Sequence, residues 1–290
     1  MGTAVIARCF SICALLLVLL AAPCAAGDTY ALVVSGASGG EAYAKKYDGW
    51  RRTLVASLKS FGYRDDHLLA LSEASRQQIE QALRDLRTRM TKDDVLFDVL
   101  LGHGTIAQGP RGEDAKFNLA GPDMKASDWA DQLKLVSGRQ VVVDTTSGSF
   151  PFLHQLAMPG RIVITANDSS AQEFETVFPE FFVQAFTEPA ADGDKDGRVS
   201  IFEAFQYASA NVRVWFDQHN QLPTERALLD EEGVARATYL QQRAGPQNEI
   251  ELAIAALKAR RSSMPPAAYD AELERLLTEL ARVSAQSRQP

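Results

Sequence analysis

Short runs of apolar, often β-branched residues alternate along this chain with stretches whose apolar residues recur every three or four positions. No other feature restricts the fold as strongly. "YALVVSGAS" from Tyr30, "HLLALSE" from His67, "VLFDVLLGHGT" from Val95, "RQVVVDTTSGSF" from Arg139 and "RIVITAND" from Arg161 have strand length and strand composition. Between the first two, Tyr47, Trp50, Leu54, Leu58 and Phe61 line one helical face, and Gly62 stands where a C-terminal cap belongs. Ser75 with Gln78 makes a capping box that opens a second helix, whose apolar face is Ile79, Leu83, Leu86 and Met90. "SDWADQLKLV" is a third helical stretch. Strands alternating with helices over short connections predict an α/β fold with a mostly parallel sheet covered on both faces.

The 290 residues are enough for one large domain and an appendage. A formal charge of -7 argues against nucleic acid or an anionic membrane as the main partner, because both are bound through clustered Lys and Arg. Residues 1–26 read as a signal peptide: Arg8 precedes the apolar run "CFSICALLLVLLAAP", and small residues surround a cleavage point after Ala26. The run falls short of the roughly 20 residues a spanning helix needs, so no stable span is expected after cleavage. Retention of the leader as an anchor, or lipidation at Cys24, are the alternatives. The expected location is periplasmic or extracellular. Cys9, Cys13 and Cys24 all lie in this leader, so the mature chain has no thiol for a disulfide, a metal or a nucleophile.

Two strands end in residues with chemistry: Gly102-His103-Gly104 after the third, and Asp144-Thr145-Thr146-Ser147-Gly148 after the fourth. A parallel sheet puts its carboxyl ends on one edge, which would bring His103 near the threonine pair as a base beside a hydroxyl. Flanking glycines would let the backbone approach a ligand and offer an amide to an oxyanion. The plainer reading, in which His103 caps a strand and bonds a carbonyl, is equally open from spacing.

A strand ending in His-Gly, a next strand ending in a turn like "DTTSGS", and a third leading through "TA" into a polar loop resemble the caspase and legumain cysteine peptidases, in particular bacterial secreted relatives. The resemblance spans roughly Tyr30 to Asp230. It implies a three-layer α/β/α fold, and it makes His103 the counterpart of the family's catalytic histidine. The cysteine is missing: Thr146 or Thr145 holds its place, depending on how the turn is aligned. A threonine hydroxyl ionises far less readily than a thiol, and working threonine nucleophiles usually rely on an N-terminal amine that an internal residue lacks. The resemblance therefore implies an inactive relative; hydrolysis through Thr145, Thr146 or Ser147 with His103 is the alternative. It also places Asn167, Asp168, Ser169 and Ser170 in a loop that shapes a substrate pocket, where the residues alone read equally as a solvated loop.

"DGDKDGRVSIFE", Asp192 to Glu203, fits the calcium loop of an EF-hand. Asp192, Asp194 and Asp196 stand at positions one, three and five, and Gly197 at the sharp turn. Arg198 would give its carbonyl, Ser200 an oxygen or a bridging water, and Glu203 a bidentate carboxylate. Hard oxygen donors suit Ca²⁺, and without His or Cys the loop does not suit zinc. An acidic turn that binds nothing is the competing reading. The exiting helix is "IFEAFQYASANVRVWF", whereas Pro189 interrupts the entering side, and with no second loop a structural site is expected rather than a cooperative sensor.

The main domain is thus expected at 27–245. Over 246–290, Ile250, Ile254 and Leu257, a break at Met264-Pro265-Pro266, and then Leu273, Leu276, Leu277, Leu280 and Val283 predict a helical hairpin. It could pack on the chain itself, self-associate or dock a partner. The sequence as a whole predicts an exported, calcium-binding, catalytically inactive peptidase relative that binds peptides or a protein partner.

Overall fold

The computed structural model describes residues 27–109, 112–171, 174–241, 250, 253–254, 257–258, 261 and 264–287. The expected leader, 1–26, lies outside them. Five parallel strands, β1 (Thr29–Ser35), β2 (Leu68–Leu71), β3 (Val95–Leu101), β7 (Arg139–Asp144) and β8 (Arg161–Thr165), form a sheet with β9 (Leu228–Leu229) antiparallel at its edge. The order is β2-β1-β3-β7-β8-β9. All five strands read from the sequence are present, and the fold is the expected α/β one with a mostly parallel sheet.

Strand alternation divides the core into two layers. Ala31, Val33, Phe97, Val99 and Leu101 face the layer of α1 (Glu41–Ser60), α5 (Phe178–Gln184) and α6 (Ile201–Gln218). Tyr30, Leu32, Val34, Leu96 and Leu100 face α2 (Arg76–Arg89), α3 (Ala126–Leu133) and α4 (Phe150–Leu156). α2 starts at the expected capping box, where the Ser75 hydroxyl accepts from the Gln78 N–H and the Gln78 side chain accepts from the Ser75 N–H.

The sequence reading missed a second sheet. The chain does not run through His103 as one strand: β3 stops at Leu101, and β4 (Gly104–Gly109), β5 (Gly112–Phe117) and β6 (Met124–Lys125) form an antiparallel meander. Its apolar signal is short, one buried position at a time, so periodicity does not reveal it. Phe117 and Met124 tie the meander to the second core layer.

α7 (Glu232–Ala235) follows β9, and α8 (Pro266–Ser287) is the second arm of the predicted hairpin. Most of the first arm lies outside the described residues. Of those described in it, Ile250, Ile254 and Leu257 are buried with Tyr269 and Leu276 in a small core of their own. Leu277 departs from the predicted face and is exposed, because adjacent positions on a helix point about 100° apart. Among the described residues no helix is long and apolar enough to cross a membrane.

Candidate functional site

Parallel pairing of β3 with β7, with Leu100 opposite Asp144, brings the His103 loop and the threonine turn to one sheet edge. Thr145, the first residue past β7, is tied back to the neighbouring strand: it is buried, and both its N–H, at 3.1 Å, and its hydroxyl, at 2.7 Å, donate to the Leu100 carbonyl. Thr146 faces the His103 loop. A Cβ placed on Gly104 would stand 2.3 Å from the Thr146 Oγ1, and one placed on Gly148 would stand 2.8 Å from the Gly104 carbonyl carbon. Only glycines permit this stacking of turn on loop. Of the two threonines it is Thr146 that adjoins the His-Gly step. Among the described residues its buried hydroxyl makes no hydrogen bond of ordinary geometry, although it lies near enough to the Asp144 carboxyl to favour its ionisation, while the Ser147 hydroxyl donates to the Gly104 carbonyl at 3.2 Å.

His103 is half-buried against α1. The Tyr47 hydroxyl lies 3.1 Å from Nε2 and 3.3 Å from Nδ1, Nε2 lies 3.2 Å from the Ser38 carbonyl, and the Tyr43 ring meets the imidazole edge-on at 4.7 Å. A neutral ring satisfies these contacts when Nε2–H donates to Ser38 and Nδ1 accepts from Tyr47. Both nitrogens are then engaged, by a tyrosine and a carbonyl rather than by a carboxylate and a nucleophile. The Tyr47 phenol is pushed above its ordinary range by burial first and by the Glu175 charge second, so it stays a donor. Glu175 is itself paired with Lys46 at 2.9 Å, which fastens the loop after β8 to α1.

Beneath the turn lies a polar group inside the core that the sequence reading passed over. Asp98 and Asp144 are fully buried on the same face of adjacent strands, and both Asp98 oxygens lack partners. Burial, followed by the Asp144 charge, raises the Asp98 carboxyl well above the usual range, with Arg161 opposing. Asp144 is pushed up to about 7 by burial, partly offset by the Thr146 N–H that its Oδ1 accepts at 2.9 Å. Arg161, also buried, donates to Gln140 at 2.9 Å and to the Leu156 carbonyl at 2.8 Å. An aspartate in the middle of the apolar run "VLFDVLL" was the available signal.

The four polar residues after β8 have separate fates. Asn167 is buried, and its amide donates to the Thr146 and Ser147 carbonyls at 3.1 and 3.0 Å, so it holds the turn from below. Asp168 pairs with Arg226 at 3.4 Å. Ser169 accepts from the Ala171 N–H at 3.1 Å, and the Ser170 hydroxyl donates to Glu113. Beside this loop is a cavity of about 270 Å³ lined in part by Phe178, Ser209, Arg213, Glu225 and Arg226. The buried Glu225 accepts from the Val177 and Phe178 N–H groups at 2.8 and 3.1 Å, and burial raises it to about 7 despite them.

Between α5 and α6, the acidic sequence Asp192 to Glu203 forms a tight turn that leads into α6. Carboxylate oxygens of Asp192, Asp194 and Asp196 converge to within 4.8 Å of one another. Gly197 adopts a φ of 87°, the left-handed geometry that position six requires. Asp192 accepts from the Asp196 and Gly197 N–H groups at 3.0 and 2.8 Å, and Asp196 accepts from Arg198 N–H at 2.8 Å. Three converging hard oxygens fit a calcium ion. Glu203 is turned to the backbone instead: one oxygen accepts from Gly193 and Asp194, the other from Ser200. Burial works against its ionisation, but these bonds prevail and hold its carboxyl below the ordinary value. To ligate, Glu203 must exchange these N–H groups for the ion.

No protein-family model matches the sequence, and no curated protein matches it. Among solved structures, the chain is similar to protein GSU0716 from Geobacter sulfurreducens, at 12% identity and TM-score 0.47 over 75% of this chain and 98% of that one. It is similar to the Drosophila initiator caspase Dronc at 12% identity and TM-score 0.47, covering 73% and 81%. The third is Caspase-1 from Spodoptera frugiperda, at 9% identity and TM-score 0.48, covering 71% and 86%.

Proposed function

We propose that this chain is an exported, calcium-binding, caspase- and legumain-like protein that has lost peptidase chemistry and binds peptide segments or a protein partner along the strand-end edge. One observation carries the inactive part: the machinery a hydroxyl nucleophile would need is engaged elsewhere. Thr145 donates into the strand, and His103 uses its ring on Tyr47 and Ser38. No thiol follows Cys24. The strand order and the placement of His103 and Thr146 at one sheet edge support the family resemblance. Exposed Tyr43 offers apolar surface beside His103. Asp192, Asp194, Asp196, Arg198, Ser200 and Glu203 are the proposed Ca²⁺ ligands, Arg198 through its carbonyl. The location proposed is periplasmic or extracellular, and the helical hairpin is a second surface for self-association or docking.

Hydrolysis through Thr146 is the second reading, favoured by a single fact: among the described residues its hydroxyl makes no hydrogen bond of ordinary geometry, and it adjoins Gly104. Incubation of the mature protein with a mixed peptide library, with and without Ca²⁺, separates the two when cleavage is read by mass spectrometry beside His103→Ala. The binding reading expects no cleavage by either protein. Cleavage by the wild type that disappears in His103→Ala would replace it with the hydrolase reading.

A further inference from the structure

A single calcium loop must be held in shape by something other than a second one, and the chain supplies a candidate downstream. Residues 236–241, just after α7, run back along the second half of the loop. The Ile201 N–H donates to the Thr238 carbonyl at 2.8 Å, and Ser200 and Tyr239 form an antiparallel bridge. The Val199 N–H donates to the Gln241 side chain at 3.3 Å. The Arg198 guanidinium lies 3.7 Å from the centre of the Tyr239 ring and 3.4 Å from Asp196, and Arg236 lies 3.5 Å above the Phe202 ring. Four consecutive loop residues and the first turn of α6 are thereby gripped, and buried Thr238 and Leu240 fix the gripping segment to the main core.

The two halves of the loop are consequently held in different ways. Residues 192–197 are shaped by Asp192, Asp194, Asp196 and Glu203 closing on nearby N–H groups, bonds that must rearrange when an ion arrives. Residues 198–202 are held from outside by Thr238, Tyr239, Gln241 and Arg236, through contacts that involve no carboxylate oxygen of the loop. Ordering a site before its ligand arrives removes part of the entropic cost of binding. We infer that residues 236–241 are the built-in partner of the calcium loop, so that docking of this segment and calcium occupancy strengthen each other. Tyr239 is the positioning residue: it touches no ligand oxygen and acts through Arg198 and the Ser200 backbone. The inference rests on the calcium reading proposed above.

Calorimetric titration of the mature chain with CaCl₂ tests both and tells them apart. Wild type and Tyr239→Phe, which keeps the ring, should bind one ion with equal affinity. Tyr239→Ala should bind about tenfold more weakly, within the usual span of coupling between linked sites. Because linkage is reciprocal, calcium should slow hydrogen exchange at the Ile201 amide and across residues 238–241 in the wild type. Should Tyr239→Ala fail to fold, as judged by circular dichroism, Gln241→Ala takes its place with an expected two- to threefold loss, since only one bond is removed. Wild-type binding that neither variant alters overturns the inference and leaves the calcium reading intact. Absence of binding by the wild type at millimolar calcium overturns both.

Discussion

The strand-end turn and the calcium loop are both short polar segments at the ends of regular elements, yet their polar atoms are used in opposite ways. In the turn, side chains close inward: Thr145 on a strand carbonyl, Asn167 on two turn carbonyls, His103 on Tyr47 and Ser38. In the loop, three aspartates face one another, their mutual repulsion offset by backbone N–H groups and by the Arg198 guanidinium beside Asp196. The Asp194 carboxyl is raised by burial first, and the neighbouring Asp196, Glu203 and Asp192 charges add to that rise. Polar groups that satisfy one another make a scaffold, whereas converging like charges are what the proposed calcium reading would use. On that reading the contrast is between a turn held for its shape and a loop held for its ligand.

The sharpest way to break that contrast is through pH. Asp144 holds its proton up to about 7 in the fold and to about 3.8 when unfolded, so its contribution to stability is complete below the unfolded value and is lost as pH rises through the folded one. Stability should fall by on the order of 4 kcal/mol between pH 4 and 8 from this group. Asp98 acts in the same direction. Denaturant melts across that window measure the slope, and Asp98→Asn should flatten it; an unchanged slope in the variant would remove the buried acid pair from the account.

Asn167→Ala comes next. It leaves the half-buried Ser147 carbonyl without its amide donor and the buried Thr146 carbonyl with the Ser149 N–H alone, at 3.3 Å, and should destabilise the protein by about 3 kcal/mol. A loss below about 1 kcal/mol in the same melts would mean that the turn stands without its support.

Calcium is third in size. At a hundredfold excess over its Kd it should stabilise the chain by about 2.7 kcal/mol, read as a rise in Tm over a chelated control. Asp194→Asn together with Glu203→Gln should abolish that rise, while His103→Ala should leave it in place.

The smallest effect belongs to Asp168→Ala, which removes a largely exposed ion pair with Arg226 and should cost under about 1 kcal/mol. A larger loss would show that the loop after β8 is braced from its rim as well as from Asn167.

Much of this architecture is legible in the order of residues. Strand runs, the Ser75 capping box and the spacing of the calcium loop are local patterns, and local periodicity and ligand spacing survive folding unchanged. Parallel-sheet geometry placed His103 and the threonine turn at one sheet edge, and the resemblance left open which threonine faced the histidine. That choice depends on the direction of two neighbouring side chains at the end of a strand, and a single step along the chain reverses it. Asn167 looked like loop punctuation because a hydrogen bond to residues about twenty positions earlier leaves no trace in its own neighbourhood.

What the sequence determined by itself, then, is the alternation of elements, the absence of a thiol after Cys24, and the donor set of the acidic loop. Each is a matter of residue type and spacing along one segment. Tertiary structure alone decided that His103 is held by Tyr47 and Ser38, that Asp98 and Asp144 share the core, and that Tyr239 lies against Arg198. These are meetings between residues about forty or more positions apart, and only the packing of the sheet and its helices fixes which of them touch.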